Sequence, residues 1–271
     1  MKAAAVRPWC GATSTVREPV VVGVDSSEPS LWALDWAADE AALRGAPLHL
    51  VHASEWRRDA EDGWSHDRRL LESAARRVHR RAPDVRVSTE VAGEDPEPAL
   101  LRAARNATAL VLGSRGRAGL TGLLRGSVSA AVAARAECPV IVVRGQGAGA
   151  AHGRVVVGVG GPAAVRFAVR EAVVRDAELE AVRTWRASSG ENHEQRARAA
   201  LERALRHAPE RLRIRRRAAE GHARQLLVSA SFAADLLVVG TRSGAGRLGL
   251  VTHRVLRDAA CPVAVVPEHR R

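Results

Sequence analysis

Lysine is almost absent from this sequence. Only one of its 42 basic residues, Lys2, is a lysine, and all the others are arginines. P-loop nucleotide-binding proteins, protein kinases and pyridoxal-phosphate enzymes each need a lysine inside the fold. Lys2 lies in the leader that precedes the first predicted strand, so it is poorly placed for these roles. The sequence therefore argues against these three classes of protein.

Cysteine is also scarce, and the histidines lack metal-binding spacing. The three cysteines, Cys10, Cys138 and Cys261, form no C-x-x-C pair. An odd number without that spacing predicts neither a disulfide framework nor a zinc site, and it fits a reducing compartment. The ten histidines include no H-x-x-x-H or H-E-x-x-H pair. We therefore expect no metal site built from these residues.

Long apolar stretches are missing as well. No segment approaches the roughly 18 to 20 consecutive apolar residues that a membrane-spanning helix needs. We therefore expect a cytoplasmic protein without a membrane segment, with a loose leader over residues 1–18 that lacks a secretory apolar core. The 271 residues, 46% of them apolar, are enough for two cores.

Three segments of the sequence occur twice, in the same order. They are PVVVGVDSS (19–27) and RVVVGVGGP (154–162), ATALVLGSR (107–115) and ADLLVVGTR (234–242), and AECPVIVVR (136–144) and AACPVAVVP (259–267). This pattern indicates a tandem duplication. We place the first copy at residues 19–144 and the second at 154–267, joined by a Gly/Ala linker over 145–153.

Short β-branched runs alternate with longer helical patterns in each copy. In the first copy the pattern predicts strands at 20–24, 47–52, 85–91, 109–113 and 139–143, with helices near 28–44, 66–82, 97–105 and 126–136. VVVGV, ALVLG and PVIVV are apolar on both faces, as in central parallel strands covered by helices. We therefore predict an α/β, Rossmann-like fold of two tandem, doubly wound, five-stranded parallel sheets.

A glycine-rich loop, GSRGRAGLTGLLRGS (113–127), leaves one predicted strand and enters the next helix. Ligands of doubly wound sheets bind at the carboxyl ends of strands. A helix N-terminus favours an anion, and glycines let the backbone approach phosphate without a Cβ in the way. Arg115, Arg117 and Arg125 add positive charge. These residues indicate an anion site, with a solvated turn that caps the helix as the alternative.

The spacing of this loop carries a family resemblance. Gly113, Gly116, Gly126 and Ser127 form the pattern G-x2-G-x9-G-S, which resembles that of the nucleotide-binding universal stress proteins. The segments VVVGVDSS, LHLVHA, ALVLGSRG and ECPVIVV also follow the family order over 19–144, and the second copy follows it more loosely. The resemblance implies a tandem universal stress protein with the adenine nucleotide alpha hydrolase-like fold.

The resemblance implies a nucleotide site in the first copy. Asp25, preceded by Gly23 and Val24, would contact the nucleoside, and the backbone around Ala53 would meet the adenine. The ribose and phosphates would be surrounded by the end of the fourth strand, the loop and the start of the next helix: Leu112, Gly113, Gly116, Gly126, Ser127, Val128 and Ser129. For Asp25, a helix N-cap or turn carboxylate is the alternative interpretation.

The second copy departs from this pattern. Gly160 stands where the first copy has Asp25. A gapless alignment puts residues 253–254 at the positions of 126–127, whereas alignment back from the last strand puts 249–250 there and shortens the loop. We favour the shortened loop, because deletions fall in surface loops more readily than inside packed helices. We predict one nucleotide per chain.

The function implied by the resemblance is a stress-response sensor or signalling module. It would bind ATP or another adenine nucleotide, with Mg²⁺ left open, and would meet a protein partner that the sequence does not identify. The sequence supplies no positioned general base or catalytic lysine, so we expect no efficient enzyme; slow ATP hydrolysis or autophosphorylation is the alternative.

A third hypothesis, polyanion binding, starts from the basic segment RLRIRRR (211–217). We interpret that segment as a charged edge strand and expect no nucleic-acid partner.

Two further interpretations concern pairing and the rim of the site. Family members commonly pair through the fifth strand, so the resemblance implies an internal pseudo-dimer in which 139–143 pairs with 262–266; a homodimer of chains is left open. His52 is interpreted as a packed or rim residue, and the carboxylates of 59–67 as part of a loop.

Overall fold

The computed structural model describes residues 17–54, 61–114, 128–144, 152–186, 192–242 and 247–268. Most of the expected leader (1–18) and linker (145–153) lies outside these ranges. So do three residues of the predicted phosphate loop, Gly116, Gly126 and Ser127. The remaining predicted site residues are all described.

Strands and helices alternate along both copies. The first copy comprises β1 (Val20–Gly23), α1 (Glu28–Arg44), β2 (Leu48–Ala53), α2 (Glu61–Arg81), β3 (Val87–Ala92), α3 (Pro96–Ala103), β4 (Ala109–Gly113), α4 (Val128–Arg135) and β5 (Val140–Val143). The second comprises β6 (Arg154–Gly158), α5 (Pro162–Val174), β7 (Glu178–Trp185), α6 (His193–Leu205), β8 (Ile214–Glu220), α7 (Ala223–Ser231), β9 (Leu236–Arg242), α8 (Leu250–Asp258) and β10 (Val263–Glu268). The expected loop over 59–67 is wrong from residue 61 onward, because α2 begins there.

The strands form one sheet in the order β3-β2-β1-β4-β5-β10-β9-β6-β7-β8. Each copy contributes five parallel strands, which confirms the predicted doubly wound fold. The two sets join where β5 and β10 pair antiparallel, with Ile141 opposite Ala264. This internal pairing is the one expected for the fifth strands. It joins two apolar edges that would otherwise be open to other chains.

Helices cover both faces of the sheet, so the central strands are buried on both sides. Val20 and Val22 point to the face covered by α1, α2, α5 and α6, whereas Val21 points to the face covered by α3, α4, α7 and α8. In the first copy β1 lies between β2 and β4, so successive crossovers leave it in opposite directions. The carboxyl end of β1 is therefore the topological switch point.

A buried cluster of four charges joins α1 of the first copy to α5 of the second. We call Glu40, Arg44, Glu171 and Arg175 the interdomain charge cluster. Each arginine contacts the glutamate four residues before it and the glutamate of the other copy; Arg175 is the C-cap of α5. Both glutamate side chains are fully buried, and Arg175 lies over the ring of Trp36. Acidic and basic side chains thus alternate around a closed arrangement.

The basic segment 211–217 leads into β8, the last strand of the sheet. Leu212 and Ile214 pack against the core, and Arg217 lies 3.4 Å from Glu180 on the neighbouring strand. Its interpretation as a charged edge strand is therefore confirmed. Among the helices that the structure describes, none combines the length and apolar character required to cross a bilayer.

Candidate functional site

A cleft opens at the carboxyl ends of β1, β2 and β4, at the switch point of the first copy. We call it the switch-point cleft. Its lining includes every predicted site residue that the structure describes: Gly23, Val24, Asp25, Ala53, Leu112, Gly113, Val128 and Ser129. Three segments distant in sequence, ending at Asp25, Ala53 and Gly113, therefore meet in one place, as parallel strands require.

Gly113 allows the first turn of α1 to lie directly against the end of β4. A Cβ on Gly113 would be 2.5 Å from the carbonyl oxygen of Pro29 and 2.9 Å from the amide nitrogen of Ser30. Real Cβ atoms do not approach the backbone this closely, so glycine is required here for steric reasons. This contact holds the start of α1 beside the cleft.

Asp25 acts as a turn carboxylate at the entry to α1, which was the alternative interpretation of this residue. It does so with only one of its two carboxylate oxygens. Its Oδ1 accepts hydrogen bonds from the amide and the hydroxyl of Ser27, at 2.8 and 2.5 Å. Ser27 is in turn the N-cap of α1. The second carboxylate oxygen, Oδ2, has no hydrogen bond within the described residues, and the Asp25 side chain is exposed. The turn contact through Oδ1 is therefore compatible with a contact between Oδ2 and a nucleoside.

The backbone that leads into Asp25 is held by three hydrogen bonds. The amide of Val24 donates to Val51 O at 2.8 Å, and the amide of Asp25 donates to Ser30 Oγ at 2.9 Å. The carbonyl of Val24 accepts from Nδ1 of His52 at 2.7 Å. His52 lines the cleft and is half-buried, so its interpretation as a rim residue is confirmed.

Sequence reasoning missed two residues of this arrangement. Ser30 was not singled out, although a second serine three residues after the N-cap Ser27 was an available signal. Asp67 was assigned to a loop; it is a buried residue of α2 whose Oδ1 lies 3.2 Å from Nε2 of His52. No local pattern indicates that Asp67 meets β2, because the crossover of α2 brings them together.

The corresponding place in the second copy is filled by the chain itself. Gly160 offers no carboxylate, and Glu268, at the end of β10, reaches the first turn of α5. Its two carboxylate oxygens accept hydrogen bonds from the amides of Ala163 and Ala164, each at 3.0 Å. A Cβ on Gly161 would overlap this carboxyl group. The positive end of the α5 dipole is thus already matched to a negative charge.

The start of α8 decides between the two alignments of the second copy. The helix begins at Leu250 with Gly249 as its N-cap, and the amide of His253 donates to Gly249 O at 2.9 Å. His253 is therefore within the helix and cannot stand at its start. The shortened loop is the correct alignment, and the gapless one is wrong.

Glu268→Gln is expected to lower the free energy of unfolding by about 1 kcal/mol, because it removes the charge that faces the N-terminus of α5. Urea unfolding followed by tryptophan fluorescence measures this difference. Glu202→Gln, at an exposed position of α6, is the matched control and is expected to change stability by less than about 0.5 kcal/mol. Equal effects of the two changes would contradict the assigned role of Glu268.

Cys138 and Cys261 are buried thiols, and neither lines the cleft. Burial raises the pKa of Cys138 to about 11 and that of Cys261 to about 12, so both thiols stay protonated at neutral pH. Among the described residues, no three side chains of His, Cys, Asp or Glu are grouped to hold a metal ion. Cys10 lies outside the described residues.

Comparison with known proteins identifies the family. The family model described as "Universal stress protein family" matches residues 17–144 and 152–267. The chain belongs to the universal stress protein family. It is 35% identical to the universal stress protein Rv3134c of Mycobacterium tuberculosis over 239 residues, covering 83% of this chain and 88% of that protein. It is 39% identical to a universal stress protein of Mycolicibacterium smegmatis over 139 residues, covering 47% of this chain and 46% of that protein.

Solved structures agree with the architecture of this universal stress protein. The crystal structure of a universal stress protein from Archaeoglobus fulgidus DSM 4304 superposes with a TM-score of 0.75 at 18% identity, covering 93% of this chain and 98% of that one. This likeness extends through both copies and confirms the fold. A universal stress protein from Archaeoglobus fulgidus in complex with dAMP covers 48% of this chain and 100% of its own, at 26% identity and a TM-score of 0.40.

Proposed function

We propose that this universal stress protein binds one adenine nucleotide, with ATP as the expected form, in the switch-point cleft of its first copy. It would then act as a sensor or signalling module in a stress response. The observation that carries the proposal is the juxtaposition of Asp25, whose Oδ2 has no hydrogen bond from a described residue, with the end of β4 and the start of α4. The two ends of a nucleotide need these two kinds of group.

The cleft offers different chemistry at its two ends. Oδ2 of Asp25 is an acceptor for hydroxyl groups such as those of a ribose. The start of α4, where Val128 and Ser129 line the cleft, presents the positive end of a helix dipole, which favours phosphate. The sequence between β4 and α4 carries the glycines and arginines of the predicted phosphate loop. A nucleoside phosphate fits this polarity better than a neutral ligand does.

One ligand per chain is favoured by the second copy. Its counterpart of Asp25 is Gly160, and Glu268 already occupies the amides at the start of α5. The Glu268 carboxylate also lies beside Gly240, the counterpart of Gly113, so a phosphate that reached this end of β9 would meet a like charge. We infer that the second copy serves as a structural partner of the first.

We infer binding without efficient turnover. Among the described residues that line the cleft, Asp25 is the one carboxylate, and none of them is a lysine. Efficient phosphoryl transfer uses several positioned charges, with metal ligands and a group that orients the nucleophile. Slow hydrolysis or autophosphorylation is the alternative, and release of phosphate that depends on the Gly126 and Ser127 loop would favour it.

Asp25→Asn is expected to weaken ATP binding about tenfold, because an NH₂ group replaces Oδ2 and cannot accept from a ribose hydroxyl, while the amide oxygen still accepts from Ser27. Isothermal titration calorimetry on the full chain measures both the affinity and the stoichiometry, which we expect to be one. Asp39→Asn, an exposed carboxylate in α1 that pairs with Arg81, is the control and should leave affinity unchanged.

Mass spectrometry of small molecules released from the denatured, purified protein provides an independent test. We expect an adenine nucleotide from the wild type and less of it from Asp25→Asn. A titration that shows two equivalent sites, or binding that is indifferent to Asp25, would contradict the proposed function.

A further inference from the structure

His52 makes hydrogen bonds through both ring nitrogens at the edge of the switch-point cleft. Its Nδ1 lies 2.7 Å from the carbonyl oxygen of Val24, and its Nε2 lies 3.2 Å from Oδ1 of Asp67. A carbonyl oxygen can only accept, so Nδ1 must carry the proton in the first of these bonds. His52 is therefore a fixed donor to the backbone, and not a free base pointing into the cleft.

This donor fixes the peptide that precedes Asp25. The peptide group between Val24 and Asp25 is held at its carbonyl by His52 and at its amide by Ser30 Oγ, at 2.9 Å. With both edges of the plane held, the peptide cannot rotate. The direction in which the Asp25 side chain leaves the backbone follows from this plane.

Asp67 determines the orientation of the imidazole ring. Its carboxylate comes from α2, is buried, and meets the ring nitrogen opposite the one that bonds Val24. Contact on this side restricts rotation of the ring, so Nδ1 keeps facing the Val24 carbonyl. Asp67 is not among the described residues that line the cleft, and its contact with the site is made through His52.

The second copy makes the same bond with a different side chain. Arg183, the residue after Val182 in β7, donates through Nη1 to the carbonyl of Val159 at 2.6 Å. The amide of Val159 donates to Val182 O, as that of Val24 does to Val51 O. Arg183 therefore occupies the place of His52. The carbonyl before the site residue is held in both copies by a side-chain N–H.

We propose that His52, oriented by Asp67, is a positioning residue of the nucleotide site. Its Nδ1–H holds the Val24 carbonyl and so directs Asp25 toward the nucleoside. The inference rests on the proposed function, because it concerns the affinity for that ligand. The hydrogen bond from His52 to the Val24 carbonyl would therefore raise the affinity for the nucleotide without touching it.

Two amide substitutions separate the roles of the ring nitrogens. In His52→Asn the side-chain NH₂ can stand where Nδ1 stood, whereas in His52→Gln it stands nearer to the place of Nε2. With ATP titrated into the full chain by calorimetry, we expect His52→Asn to remain within about threefold of the wild type and His52→Gln to bind about tenfold more weakly. A residue that only filled space would show the larger loss with Asn, the smaller of the two amides.

Two more variants use chemistry that the chain itself provides. His52→Arg installs the donor of the second copy and is expected to restore affinity to within about threefold of the wild type. His49→Gln, in the same strand but bonded to Ser88 and Glu90, is the control and should leave affinity unchanged.

Asp67→Leu tests whether Asp67 acts through the ring. It should weaken ATP binding about threefold in the wild type and have no further effect in His52→Asn, because coupled residues are not additive. Thermal unfolding of each variant confirms that it is folded. If His52→Gln does not fold, the comparison of Asp67→Leu in the two backgrounds decides the inference.

The outcomes distinguish this inference from the proposed function. A wild-type chain that binds no adenine nucleotide overturns the proposed function, and the inference with it. A wild-type chain that binds ATP while His52→Asn and His52→Gln bind equally well overturns the inference alone. The expected order, with His52→Gln weakest and His52→Arg restored, supports both.

Discussion

Arg175→Met lowers the free energy of unfolding by about 3 kcal/mol, because it leaves two buried carboxylates with one guanidinium between them. Glu40 and Glu171 are fully buried, so water cannot replace the missing cation. The change also removes the contact of Arg175 with the ring of Trp36. Urea unfolding at pH 8, followed by tryptophan fluorescence, measures the loss.

The control for this prediction has the same spacing at the surface. Glu194 and Arg198 form an (i, i+4) pair in α6, with side chains 45% and 67% exposed. Arg198→Met is expected to change the free energy of unfolding by less than about 0.5 kcal/mol, because exposed pairs contribute little. Similar losses of unfolding free energy in the two arginine variants would contradict the claim that burial makes the interdomain charge cluster important for stability.

The loss in Arg175→Met depends on pH, and its sign follows from Glu171. Burial and the neighbouring Glu40 carboxylate raise the pKa of Glu171 to about 7 in the folded protein, above its ordinary value of 4.5. A group with a raised folded pKa contributes stability below its unfolded pKa and loses that contribution as pH rises through the folded pKa. Without Arg175 the pKa of Glu171 rises further, since a favourable positive charge is gone.

We therefore expect the stability difference between wild type and Arg175→Met to shrink as pH falls from 8 to 5. A proton on Glu171 then takes the place of the missing cation. Unfolding at pH 5, 6.5 and 8, with Arg198→Met measured in parallel, tests this. A difference that stays constant across these values would contradict the assignment of the titration to Glu171.

Gly113→Ala weakens ATP binding by about a hundredfold, because it displaces the start of α1 from the switch-point cleft. The new Cβ would stand 2.5 Å from Pro29 O, whereas ordinary contact begins near 3.4 Å. The first turn of α1 must therefore move by about 1 Å, a displacement that costs about a hundredfold at a positioned site. Asp25 and Ser30 move with it, since they are tied to that turn.

The same change is expected to lower the free energy of unfolding by about 1 to 3 kcal/mol, the usual cost of overpacking. Calorimetry with ATP and urea unfolding measure the two effects on one preparation. Gly93→Ala is the matched control, because a Cβ on Gly93 has no atom within 4 Å. Unchanged ATP affinity in Gly113→Ala would show that the close packing of α1 on β4 does not shape the site.

Much of this site could be predicted from local sequence. Gly113 was named because it ends an apolar run that predicts a buried parallel strand, and Asp25 because the family resemblance places an acidic residue at the end of the first strand. The single oxygen of Asp25 that serves the turn could not be predicted, because side-chain geometry is not written in residue spacing. Gly116, Gly126 and Ser127 lie outside the described residues, so their predicted phosphate contacts stay predictions.

The sequence by itself determined the duplicated α/β fold and, through the family resemblance, the residues expected at the first-copy cleft. These follow from periodicity, repeats and glycine spacing, which act over short stretches of chain. Only the tertiary structure decided that Asp67 meets His52, that Glu268 reaches α5 and that the interdomain charge cluster closes between α1 and α5. Such contacts join residues far apart in sequence, and their partners are chosen by how crossovers bring elements together, which no local pattern encodes.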